Sequence, residues 1–119
     1  MFRGLIIKES LADTSILSRL SIEKEESWDI DNAVNGQAKH WHVVHVQLGE
    51  DHVGEVAEDL SQSLKNGPWY VDLSDGKSVY VVFPRRVFLY EKGNTEERKR
   101  AEDFGRAIGI PESQLDWKE

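Results

Sequence analysis

Val53, Val56, Ala57, Leu60 and Leu64 recur at helical spacing among mostly polar neighbours, and this one-sided stripe constrains the fold more than any other feature. It predicts a helix from about Asp51 to Lys65 that must bury a single face. Asn66-Gly67-Pro68 is its expected stop, since glycine tolerates the left-handed conformation and proline cannot continue the hydrogen-bond ladder. On both sides of this helix the apolar residues alternate at period two, as in strands. A helix with one apolar face needs a sheet to bury it, so the chain reads as α+β.

Phe2 to Lys8 is short, apolar and β-branched at Ile6 and Ile7, which suits a central strand buried on both faces. Ser10-Leu11-Ala12-Asp13 resembles a capping box, and Ile16, Leu17 and Leu20 follow at helical spacing, predicting a short first helix. Ile22 to Ile30 alternates, with Ile22, Trp28 and Ile30 on one side and Glu23, Glu25, Ser27 and Asp29 on the other. Asn35-Gly36 is a hairpin signal, and His40 to Leu48 forms the returning arm. A second hairpin joins Trp69–Leu73 to Val79–Phe83 around Ser74-Asp75-Gly76-Lys77. A three-residue loop there would gather Trp69, Val71, Leu73, Val79, Val81 and Phe83 on one buried face, leaving Tyr70, Asp72, Tyr80 and Val82 opposite. Val87 to Tyr90 continues the sheet as a further strand or a bent extension. Asn94 caps a third helix carrying Ala101, Phe104, Ala107 and Ile108, which Gly109 and Pro111 close. The apolar tail Leu115-Asp116-Trp117 should dock onto the body.

The order β-α-β-β-α-β resembles the ferredoxin-like arrangement, an antiparallel sheet with helices on one face, over roughly residues 1 to 75. One or two extra strands and a C-terminal third helix extend it. The resemblance is to a fold and implies no particular activity, because that architecture hosts sensing domains, RNA binders, small enzymes and dimerisation units.

At 119 residues the chain fits a single α+β domain, residues 1–119, and 39% hydrophobic content is enough for a core. Without cysteine it has neither disulfides nor thiolate ligands, so a metal would need His and carboxylate donors. No segment has the length of a signal peptide or a membrane span, which places the expectation in the cytoplasm. The net charge of -7 is uneven: residues 1–60 hold 5 Lys+Arg against 12 Asp+Glu, while residues 61–119 hold 10 of each. Such a balance argues against a nucleic-acid surface. Arg85, Arg86, Lys92, Arg98, Lys99, Arg100 and Arg106 are interleaved with acids and read as a solvated face.

Three of the four histidines fall in His40-Trp41-His42-Val43-Val44-His45. A two-residue Asn35-Gly36 turn would set Ile30 against Trp41 and Trp28 against Val43, and on the other face Asp29 against His42 and Asp31 against His40. A carboxylate facing an imidazole fixes its orientation, as a general base requires, so His42 with Asp29 is the candidate catalytic pair. The same face offers His40, His42, Asp29 and Asp31 as a candidate divalent-metal set, although H-x-H on a strand is a loose signal. Tyr70, Asp72 and Tyr80 form a second candidate, a ligand or interface site. The four tryptophans read as core or docking residues. With no nucleophile constellation and no phosphate loop, the expectation is a non-enzymatic module without a cofactor. It would bind a small molecule or a second copy of itself over an open sheet face, the alternative being an acid/base enzyme or metal site on the histidine strand.

Overall fold

The computed structural model describes residues 1–31, 33–34, 37–117 and 119. Its strands are β1 (Phe2–Ile7), β2 (Ser21–Asp29), β3 (His40–Leu48), β4 (Val71–Ser74), β5 (Ser78–Phe83) and β6 (Arg86–Glu91). They form one open antiparallel sheet in the order β2-β3-β1-β4-β5-β6. Helices α1 (Glu50–Ser63) and α2 (Thr95–Ala107) complete the α+β architecture, with short 3-10 segments at Lys8–Ser10, Thr14–Arg19 and Glu112–Gln114.

The expected first helix is therefore two 3-10 segments. Its cap is Asp13, whose carboxylate accepts from the Ser15 amide at 2.9 Å, while the Ser10 hydroxyl donates back to the Ile7 carbonyl at 2.5 Å. The Ser18 hydroxyl likewise donates to the Ser15 carbonyl at 2.8 Å. These local side-chain bonds compete with an α-helical ladder in so short a segment.

The stripe of α1 is buried at Val53, Val56, Ala57 and Leu60, as its spacing requires. The helix stops before Asn66-Gly67-Pro68, because Leu64 turns extended to bridge Leu11 and the Ser63 carbonyl accepts from Ala12 at 2.7 Å. Under α1 lie Phe2, Ile6, Val44, Val46, Leu48, Val71, Leu73 and Val82. A second core joins the opposite side of β5 and β6 to α2 and the C-terminal segment, through Val79, Val81, Phe83, Phe88, Ala101, Ile110 and Leu115. The tail docks as expected, with Leu115 and Trp117 buried.

The second hairpin has a different register from the expected one. Val71 pairs with Val82, Leu73 with Tyr80 and Ser74 with Val79, so Val71, Leu73, Tyr80 and Val82 share one face and Asp72, Val79 and Val81 the other. Polar and apolar residues had been used to separate the faces, but β5 is covered by α1 on one side and α2 on the other, and that rule lapses for a strand buried twice. Gly4 permits β1 and β4 to meet, since a Cβ there would lie 2.0 Å from the Asp72 carbonyl oxygen.

The first hairpin is offset by two residues from the expected register. Trp28 pairs with Trp41, Ser27 with His42 and Asp29 with His40. Pairing runs on past the strand ends, with the Ile30 amide donating to the Lys39 carbonyl at 2.8 Å, so the connection is longer than a two-residue turn. Asn35 and Gly36, on which that turn was placed, lie outside the described residues. A bulge between Ile22 and Lys24 switches Ile22 to the α1 side, away from Trp28 and Ile30. With its exposed charges, the bulge also blunts β2 as an edge strand. Among the described residues no helix is long and apolar enough to cross a membrane.

Candidate functional site: a groove on the open sheet face

Antiparallel alternation sends Arg3, Leu5 and Ile7 of β1, and Trp41, Val43 and His45 of β3, to the side of the sheet away from α1. On that side α2 and the tail pack on β5 and β6, and Trp69 packs on Trp41 and Val43, leaving over the β2-β3-β1-β4 half a groove of about 950 Å³. Leu5 and Ile7 make the floor, packed on the buried Val43. Trp28, Ile30, Trp41 and Trp69 line one end, and Arg3, Glu23, Lys24 and His45 the other. Tyr70 and Asp72 form a wall with Gln114, Asp116 and Trp117 of the docked tail.

Each wall is held by named contacts. The Trp41 indole donates to the Ala38 carbonyl at 2.7 Å, and its ring centroid lies 5.7 Å from that of Trp69. Gln37 and Gln114 exchange amide hydrogen bonds of 2.8 and 3.0 Å, and Gln37 also donates to the Pro68 carbonyl at 2.7 Å. The β2–β3 connection is thereby tied to the tail across one end of the groove. Tyr70 donates to the Gln114 carbonyl at 2.5 Å and meets Trp117 edge-on at 5.4 Å. The Trp117 indole donates to the Tyr90 hydroxyl at 2.8 Å, with the Arg98 guanidinium 4.8 Å above its ring.

The charges of the groove are unevenly compensated. At the basic end, Arg3 lies 3.4 Å from Glu23, Lys24 lies 3.3 Å from Glu26, and His45 lies 2.5 Å from the other oxygen of Glu26. Among the described residues no cation forms an ion pair with Asp72. Burial pushes its carboxyl up to about 6, its own amide and the more distant Arg98 pull weakly the other way, and Asp116 adds to the rise. Burial, followed by the charges of Asp72 and Asp116, also raises the Tyr70 phenol, which stays a neutral donor at ordinary pH.

The residues singled out in the sequence are divided by the fold. Asp72 and Tyr70 line the groove, but Tyr80 lies on the α1 side, its ring 5.5 Å from Phe2. His40 meets Asp29 at 2.8 Å rather than Asp31, and both side chains are exposed. His42 is not bonded to Asp29: it faces Ser27 across the strands, and its amide and Nδ1 each lie 2.6 Å from an oxygen of Glu9. Burial alone would raise the Glu9 carboxyl, but the bonds from His42 outweigh it and hold the group below its ordinary value. Among the described residues no group of three or more His, Asp or Glu side chains is placed to hold a metal. The basic cluster is largely internally paired, with Arg98 on Glu102 and Glu119, Arg100 on Glu97, and Arg106 on Asp103 and Glu112. Sequence reasoning had read the tryptophans as core or docking residues; Trp41 and Trp69 are buried, while Trp28 is partly exposed on the groove. The alternation Trp41, Val43, His45 was the signal that an apolar row faced away from α1.

No protein-family model, curated protein or solved structure matches the chain. The groove must therefore be interpreted from its own chemistry. It offers apolar and aromatic surface with one desolvated carboxyl.

Proposed function

We propose that the chain is a non-enzymatic binding module that takes its ligand in the groove on the open sheet face. The observation that carries this reading is the groove itself, a concavity of about 950 Å³ lined by four indoles and by a partly buried Asp72 that has no ion pair among the described residues. Small-molecule sites typically occupy ~300–1,000 Å³ and combine apolar walls with a few placed polar groups. Trp28, at 38% exposure, is part of an aromatic surface left in need of cover.

The strand order β2-β3-β1-β4, with α1 as the second crossover, supports a ferredoxin-like reading of the first four strands, extended by β5, β6 and α2. The first crossover in that reading is the Thr14–Arg19 3-10 segment. A cytosolic setting and a homodimer belong to the same proposal, a second copy being the other occupant the groove admits.

Two measurements on the purified chain test the reading. Thermal melting across a panel of metabolites should show at least one stabilising ligand, because any molecule binding only the folded state raises its melting temperature. Sedimentation at tens of micromolar reports a self-associated form. A strict monomer that no panel member stabilises would overturn the proposal.

A further inference from the structure

We propose that the groove selects a small organic cation, with an ammonium group held between Asp72 and Asp116 and an apolar body lying along Leu5 and Ile7 toward Trp28. This inference rests on the groove being a binding site and adds the chemistry of its ligand.

Charge complementarity is the first argument. The basic side chains at the other end already face carboxylates: Arg3 has Glu23, while Lys24 and His45 share Glu26. Arg98, the positive group that acts on Asp72 from a distance, is committed to Glu102 at 3.3 Å, Glu119 at 3.3 Å and the Trp117 carbonyl at 3.0 Å. Two acids thus face the groove with mutual repulsion and, among the described residues, no ion-pairing cation. A carboxylate withdrawn from water without a partner is costly, and a ligand ammonium would supply the missing charge. An anionic ligand would meet the repulsion of both acids.

Shape supplies the second argument. Gly4 pairs with both Val46 and Leu73, so the next row across the floor runs from His45 through Leu5 toward Asp72. From that row to the Trp41 row is about 13 Å along the strands, at ~3.3 Å per residue. Leu5 and Ile7 keep this path apolar, and at its end Trp28, exposed in the same row as the buried Trp41, offers a ring face for stacking or for a cation. The ligand class is therefore an amine or quaternary ammonium on an extended, flat or aliphatic body.

The test uses the full chain at pH 7.5, where Asp72 is ionised, and three probes of one shape: 4-phenylbutylamine, 4-phenylbutan-1-ol and 5-phenylpentanoate. Binding is followed by amide chemical shifts in two-dimensional NMR, with unligated spectra recorded over a concentration series. The amine should shift Leu5, Ile7, Val43 and Asp72 and bind at least about tenfold more tightly than the alcohol, with the carboxylate weakest. Asp72→Asn and Asp116→Asn should each reduce the amine's advantage over the alcohol. If amine and alcohol bind the groove equally, or the carboxylate binds best, the cation proposal falls and the groove survives as a binding site. Should no probe bind the groove, or should those residues shift with protein concentration alone, the small-cation proposal falls too. A concentration-dependent shift would assign the face to a second copy.

Discussion

Asp72→Asn should stabilise the protein at neutral pH, and the gain should grow with pH in a defined window. The carboxyl is at about 6 in the fold against an ordinary value of 3.8. Between these values the unfolded chain has released a proton that the folded chain retains, so folding stability falls as pH rises through the window and is level above it. A difference of about two, at ~1.4 kcal/mol for each, gives a loss of ~3 kcal/mol on completion. Asparagine keeps the shape and cannot ionise, so the variant escapes this loss. Urea unfolding followed by tryptophan fluorescence at pH 4, 5, 6 and 7 measures both proteins. Glu9, Glu25, Glu26 and Glu112 are held low by their partners and weaken the fold as pH falls, but this contribution is common to both chains and cancels in the difference. The stability difference should therefore rise by ~2–3 kcal/mol from pH 4 to pH 7. An offset that stays constant over that range would refute the account of Asp72 as a desolvated, unpaired acid.

Other expectations test the packing around the groove. Gly4→Ala should destabilise by at least ~2 kcal/mol, because the new methyl group meets the backbone of β4 rather than a movable side chain; a urea midpoint within error of the parent would contradict this. Trp69→Ala removes a side chain only 3% exposed and should cost ~3–5 kcal/mol, with a blue-shifted component lost from the emission spectrum. His42→Ala breaks an exposed pair with Glu9 and should cost no more than ~1 kcal/mol at neutral pH. Its clearer effect is on acid stability. The depressed Glu9 contributes stability that is present above its ordinary value and lost as pH falls, so the variant should show a smaller loss between pH 5 and pH 3, and an unchanged acid limb would argue against the pair.

Local periodicity was enough to read several elements directly. The stripe from Val53 to Leu60 implies a helix with one buried face wherever it is placed, and Asn94 three residues before Glu97 makes an N-cap without outside help, its side chain accepting from the Glu97 amide at 3.2 Å. Leu115 and Trp117 are apolar enough that burial somewhere was required, and they are buried. Side-chain alternation likewise put Trp28 and Trp41 on the same face as each other, because parity survives a shift of two residues.

The partner of each strand residue had to come from the assembled chain. A period-two pattern is unchanged by sliding a strand two places, so it could not choose between Asp29 and Asp31 as the neighbour of His40. Nor could it anticipate Glu9, which reaches His42 from 33 residues away. The faces of β5 were equally unreadable, since both are apolar and both are covered, one by α1 and one by α2. The histidine strand, the most conspicuous stretch of the sequence, spends its imidazoles on acidic partners. The face that carries Trp41, Val43 and His45 borders a groove because α2 packs on β5 and β6 rather than over β1 and β3, which leaves Leu5, Ile7 and an Asp72 without an ion pair among the described residues along it. Residue types and spacing specify which side chains can share a face; how far a neighbouring element extends over that face depends on long-range packing, to which a local pattern is blind.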